Sequence, residues 1–220
     1  MKMASNDFSV NADLIQQEKQ RENVLNELKY VIALGISTGG PKALAKILPE
    51  FPADIPAAFV IVQHMPAKFT KLLAARLDEL SKIHVKEAED GEELKAGTAY
   101  IAPGNYHLTV SDNGQQLVLK LNQEPAIGGL RPNIDVMMTS LAESKAKNII
   151  GVIMTGMGSD GSKGLLLLKE KKNAIIIAQD ESTSTVFGMP RTAIELGIVD
   201  KTVPLEEIPA CIMNIMGVHQ

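Results

Sequence analysis

Four stretches of this chain are apolar at nearly every position: YVIALGI from Tyr30, AAFVIVQ from Ala57, NIIGVIM from Asn148 and AIIIAQ from Ala174. A strand with one wet face alternates apolar and polar residues. Strands that are apolar throughout are covered on both faces, as in a parallel sheet wrapped by helices. A stretch with helical character follows each of the four: PKALAKIL, Phe69 to Leu80, GLLLLKEK and PRTAIELG. One segment breaks the rhythm. YHLTVSDNGQQLVLKLN alternates around Asn113-Gly114, the signature of an antiparallel hairpin. The pattern predicts an α/β fold: a doubly wound, mostly parallel sheet flanked by helices, with an antiparallel hairpin at one edge.

Residues 1–29 follow different rules. NADLIQQEKQRENVLNELK is charged, Gln-rich and free of Gly and Pro, and it reads as a helix. Its apolar positions, Leu14, Ile15, Val24, Leu25 and Leu28, are too few for a core helix. The expected organisation is therefore a linker or docking segment over residues 1–29 and one catalytic domain over residues 30–220.

Composition removes several function classes. The one cysteine, Cys211, excludes an internal disulfide framework and a Cys-based zinc cluster, and suits a reducing cytoplasm. MKMASNDFSV lacks the apolar core of a signal peptide, and no apolar run approaches the roughly 20 residues of a membrane span. The net charge of −4 argues against a nucleic-acid partner, and the lack of tryptophan against a base-stacking platform. No HExxH or other paired-His spacing offers a metal site. Neither metal nor cofactor is expected.

In open α/β sheets, sites form beyond the carboxyl ends of the strands. The residues that arrive there are Ser37, His64, the loop Thr155 to Asp160, and Asp180. A hydroxyl, an imidazole and a carboxylate at one edge are the inventory of a serine hydrolase. Ser37 lies in Gly35-Ile36-Ser37-Thr38-Gly39-Gly40-Pro41, where glycines permit a sharp turn and the following helix offers free N–H groups to an oxyanion. Ser37 and Thr38 as helix caps, or the loop as a phosphate cradle, are the alternatives. His64 is the candidate base, since His84, His107 and His219 do not share the Ser37 edge. Asp160 sits in the glycine-rich TGMGSDG loop with Gly156 and Met157, whose N–H groups are further candidate donors. It reads equally well as the N-cap of the helix that follows, and Asp180 competes with it as the acid.

Six segments in order carry a resemblance: GISTGGPKAL, VIVQHMPAKFTKLLAARL, AGTAYIAPGNYHLTV, RPNIDVMMTSLA, GVIMTGMGSDGSKGL and IAQDESTSTVFGMPRTAI. From about Val31 to Met216 the chain resembles the catalytic domain of the CheB-type chemotaxis methylesterases. The resemblance implies Ser37 as nucleophile, His64 as general base and Asp160, rather than Asp180, as the acid that orients the imidazole. It points to the Met157 N–H as an oxyanion donor, with Thr38 and Gly156 beside it. It further implies demethylation of glutamates, and deamidation of certain glutamines, on the signalling helices of chemoreceptors. Family members carry a receiver domain ahead of the esterase, which about 30 residues cannot hold, so a receiver acting in trans is an expected partner. An anion-binding module without catalysis, or an esterase acting on another signalling protein, are the competing readings.

Overall fold

The computed structural model describes residues 27–218. The strands are β1 (Tyr30–Ile36), β2 (Ala57–Gln63), β3 (His84–Glu87), β4 (Thr98–Ile101), β5 (His107–Asp112), β6 (Leu117–Asn122), β7 (Ile149–Ile153), β8 (Ile175–Gln179) and β9 (Lys201–Val203). Seven of them form one sheet in the order β3-β4-β2-β1-β7-β8-β9, and every pairing in it is parallel. Among the described residues six α-helices cover it: α1 (Gly40–Ile47), α2 (Ala67–Leu80), α3 (Ile134–Glu143), α4 (Ser162–Lys172), α5 (Gly188–Glu195) and α6 (Ile208–Met216).

The four apolar runs are β1, β2, β7 and β8, and their side chains divide between two cores. In β1, Val31 and Ala33 face the layer of α3, α4 and α5, while Ile32, Leu34 and Ile36 face α1, α2 and α6. In β2, Ala58, Val60 and Val62 take the first side and Ala57, Phe59 and Ile61 the second. Burying one Ile, Val, Leu or Phe side chain is worth about 1.5–3 kcal/mol, so this two-sided packing makes the central strands the rigid part of the fold.

The expected hairpin is present as β5 and β6, with Asn113 and Gly114 in its loop and Gly114 at φ 94°. It forms a two-stranded sheet of its own and does not extend the edge of the main sheet. Its inner face, with Leu108, Val110 and Leu119, joins the core beneath α3, and Val110 N–H donates to Ser140 Oγ at 2.8 Å. Alternation demands one covered face, and a helix layer satisfies that as well as a sheet edge does. The helix expected over residues 11–29 lies outside the described residues except for its last three. Residues 27–29 lead into β1 without helical structure, Lys29 N–H donating to Pro56 O at 2.9 Å.

Gly35 has a packing role in addition to any at the turn. A Cβ there would lie 2.6 Å from Ile134 Cγ2, so its absence lets the first turn of α3 rest directly on β1. Gly35→Ala is therefore expected to cost about 1–3 kcal/mol of stability by overpacking, read as a lower midpoint in denaturant unfolding. An unchanged midpoint would mean that α3 does not depend on this close approach.

Candidate active site

The sheet order reverses around β1, whose neighbours β2 and β7 lead away to opposite edges. Three strand ends are tied together there. Ser37 N–H donates to Thr155 O at 2.9 Å, His64 N–H to Ile36 O at 3.2 Å and Met154 N–H to Gly35 O at 2.9 Å. Residues 37, 64 and 155–160 thus leave the sheet side by side.

His64 and Asp160 meet. Nε2 of His64 lies 2.7 Å from Asp160 Oδ2, and the two side chains are only 10% and 6% exposed, so water competes little for the bond. Asp160 does not cap its own helix: Gly161, at φ 98°, is the N-cap of α4 and supplies no side-chain bond. The carboxylate reaches across to α3, where Oδ2 accepts Ile134 N–H at 2.7 Å and Oδ1 accepts Asp135 N–H at 3.0 Å. A helix N-terminus favours negative charge, so the same contacts fix the carboxylate and complement it. Asn133 completes this turn as N-cap, accepting Val136 N–H at 3.0 Å.

Asp180 takes no part in this contact. Its oxygens accept Ser182 Oγ–H at 2.6 Å and Thr183 N–H at 3.0 Å within its own loop. Burial pushes its carboxyl up, but the Ser182 and Thr183 donors outweigh that and hold it below the ordinary carboxylate range.

Ser37 is half-buried at the end of β1, and among the described residues its Oγ has no hydrogen-bond partner. The structure therefore joins His64 to Asp160 and places Ser37 on the adjoining strand end, without a bond from its hydroxyl to the ring. Thr38 is exposed, and its carbonyl accepts Thr155 Oγ1–H at 2.8 Å. Met157 is 79% exposed on the loop tip. Among the described residues the N–H groups of Thr38 and Met157 have no acceptor, whereas Gly156 N–H is committed to Val186 O at 2.9 Å. The Gly156 N–H is thus already engaged, and the residue's lack of a side chain matters for packing. A Cβ on it would come within 2.8 Å of Ser37 Cβ.

Two buried glutamines escaped the sequence reading. Gln63 Nε2 donates to the carbonyls of both Ser37 and His64 at 3.0 Å. Gln179 accepts Thr155 N–H at 2.9 Å and donates to Thr183 O. Each is the last residue of an otherwise apolar run, and a buried polar side chain in that position needs partners. That was the available signal. Thr155, also buried, ties the loop to the 183–189 segment by accepting Val186 N–H at 3.0 Å.

Beside His64 lies a cleft of about 340 Å³ lined by Met65, Pro66, Gly129, Leu130, Arg131 and Pro132. Arg131 is a fixed wall here. Its guanidinium donates to Gln123 O, Glu124 O and Asn105 Oδ1. Among the described residues no group of three or more His, Cys, Asp or Glu side chains gathers in a way that could hold a metal, and no helix is long and apolar enough to cross a membrane.

A family profile described as CheB methylesterase matches residues 32–212. The chain is 48% identical over 190 residues to a protein-glutamate methylesterase/protein-glutamine glutaminase of Pyrococcus horikoshii, covering 86% of this chain and 51% of that one. It is 52% identical over 187 residues to the protein of the same name from Geobacillus kaustophilus, covering 85% and 54%. The chain thus spans about half the length of these curated relatives. The crystal structure of the Thermotoga maritima CheB methylesterase catalytic domain superposes with a TM-score of 0.81 at 44% identity, covering 85% of this chain and 98% of that one. On profile, sequence and fold together, this chain belongs to the CheB methylesterase family.

Proposed function

We propose that the chain hydrolyses the γ-methyl esters of protein glutamates, and deamidates protein glutamines, with Ser37, His64 and Asp160 as its catalytic residues. The observation that carries this reading is the buried His64–Asp160 bond of 2.7 Å beside the exit of Ser37 from the central strand. Since Nε2 faces Asp160, Nδ1 is the nitrogen left to take the proton of Ser37. Oγ attacks the ester carbonyl, the imidazole receives its proton, and Asp160 stabilises the imidazolium. The N–H groups of Met157 and Thr38 are the donors for the tetrahedral oxyanion. As the tetrahedral intermediate collapses, the imidazolium gives its proton to the departing methoxide, or to the amide nitrogen, so that methanol or ammonia leaves. Water, deprotonated by the same ring, releases the acyl group as glutamate.

The family and the surroundings of the site support a protein substrate. Exposed apolar side chains lie on segments that lead to or from it: Met157 in the loop before Asp160, Ile127 shortly before the cleft residue Gly129, and Phe69 shortly after the cleft residue Pro66. In this reading the substrate segments are the cytoplasmic signalling helices of chemoreceptors. Residues 1–29 are then a linker or docking segment. A bare anion-binding loop would have no use for the buried imidazole–carboxylate pair.

The test is methanol release from a peptide carrying a glutamate γ-methyl ester. Because only the neutral imidazole accepts a proton, kcat/KM is expected to fall tenfold per pH unit along its acid limb. No methanol above the uncatalysed rate would overturn the proposal.

A further inference from the structure

The contact between Asp160 and α3 has a counterpart in the opposite direction. While Asp160 receives two N–H groups from the first turn of α3, the second residue of that turn, Asp135, sends its carboxylate back to α4. Asp135 Oδ1 accepts Gly164 N–H at 2.8 Å. Gly164 is the third residue of α4, whose own N-cap, Gly161, supplies no side-chain bond. Each helix start therefore has N–H groups taken up by a carboxylate of the other segment, in addition to the Asn133 cap that α3 has of its own. The two starts can approach because small residues stand between them. A Cβ on Gly164 would lie 2.6 Å from Met138 Cβ and 3.2 Å from Asp135 Cα, and one on Gly161 would lie 2.8 Å from Ile134 Cγ2.

We propose that Asp135 is a positioning residue for the proposed esterase site, holding the start of α4, and with it Asp160, in register with His64. Asp160 is separated from α4 only by Gly161, and Gly161 has the left-handed conformation that a glycine adopts freely. The local backbone thus does little to aim the carboxylate. Two external contacts do so: the α3 N–H groups that Asp160 grips, and the Asp135 carboxylate that anchors α4 to the same turn. Asp135 itself touches neither His64 nor Ser37 by any hydrogen bond among the described residues, so its influence passes through Asp160. Burial pushes its carboxyl above the usual range. The Gly164 N–H opposes that, and the nearby Asp160 charge adds to it. The acceptor oxygen, not the charge, is what the positioning requires.

This inference rests on the proposed function, and the experiment separates the two. Hydrolysis of the γ-methyl glutamate peptide is measured for the full chain and for Asp135→Ala, Asp135→Glu, Asp135→Asn, Asp160→Ala and the Asp135→Ala/Asp160→Ala pair. Ser37→Ala serves as the control on the reaction itself. Asp135→Ala is expected to lower kcat about 10- to 50-fold with KM within about twofold. Asp135→Glu keeps the charge but displaces the oxygen, and is expected to lose comparably, which also covers an alanine variant that fails to fold. Asp135→Asn keeps the oxygen and is expected to stay within about threefold of the unaltered chain. In the Asp160→Ala background the alanine change is expected to cost less than about twofold, since residues acting as a unit are not additive. The His64 ring ¹⁵N signals are expected to move in Asp135→Ala and Asp135→Glu but not in Asp135→Asn, a readout that needs no turnover. Full kcat in both Asp135→Ala and Asp135→Glu, or an equal loss with and without Asp160, would overturn the positioning role. Turnover by Ser37→Ala equal to that of the unaltered chain would instead overturn the functional reading.

Discussion

Ser37→Ala is expected to lower methyl-ester hydrolysis by about four to six orders of magnitude, or roughly 5.5–8 kcal/mol of barrier, in a protein that still folds. The size follows from what is lost. Without Oγ there is no acyl-enzyme, and the reaction reverts to whatever water can do beside the oxyanion donors. The fold should tolerate the change because Ser37 is tied down through its backbone. Its N–H donates to Thr155 O, and its carbonyl accepts both Gly40 N–H at 2.9 Å and Gln63 Nε2–H at 3.0 Å. None of these bonds uses the hydroxyl. Steady-state methanol release, with circular dichroism as the check on folding, measures the effect. A folded variant retaining more than about a hundredth of the rate would be incompatible with a serine nucleophile.

Asp160→Ala is expected to lower kcat/KM by about 10³- to 10⁴-fold and, unlike Ser37→Ala, to destabilise the protein as well. The activity loss comes from an imidazole left without its orienting partner. The stability loss comes from Ile134 and Asp135, whose N–H groups lose their acceptor at the start of α3, a change worth about 1–2 kcal/mol. Combined with Ser37→Ala, the substitution should add no further loss of activity, while the stability cost remains in full. Paired kinetic and unfolding measurements on the single and double variants check both halves. Normal stability together with lost activity would mean that Asp160 does not cap α3. Additive activity losses would mean that the two residues do not serve one reaction.

What the sequence disclosed depended on how each element is buried. β1, β2, β7 and β8 were legible because their side chains go to two cores, which leaves runs of apolar residues with no alternation. β3 and β4 have four residues each and β9 three, with Lys201 and Thr202 exposed, too short and too mixed for any period to emerge. α3 was not among the predicted helices, although Asn133 at its start and the buried Ile134, Met137, Met138 and Leu141 carry the cap and the spacing. That omission had a consequence at the site. Without α3, Asp160 had only its own helix to cap, and the choice between Asp160 and Asp180 could not be made from the residues alone. The choice depends on an N–H pair 25 and 26 residues upstream, and no spacing rule links positions that the tertiary fold alone brings together. Ser37 and His64, by contrast, announced themselves as polar residues directly after apolar runs. Gln63 and Gln179 ended such runs too, but amides that organise loops look like strand termini until their partners are seen.

The most direct measurement is to treat the full chain with a fluorophosphonate, digest it, and locate the adduct by mass spectrometry. This chemistry captures a serine whose proton is being taken by a neighbouring base. The account predicts one adduct, on Ser37, forming at a rate that collapses in His64→Ala. An unlabelled Ser37 in a preparation that releases methanol from γ-methyl glutamate, or an adduct on a different residue that abolishes that release, would contradict it.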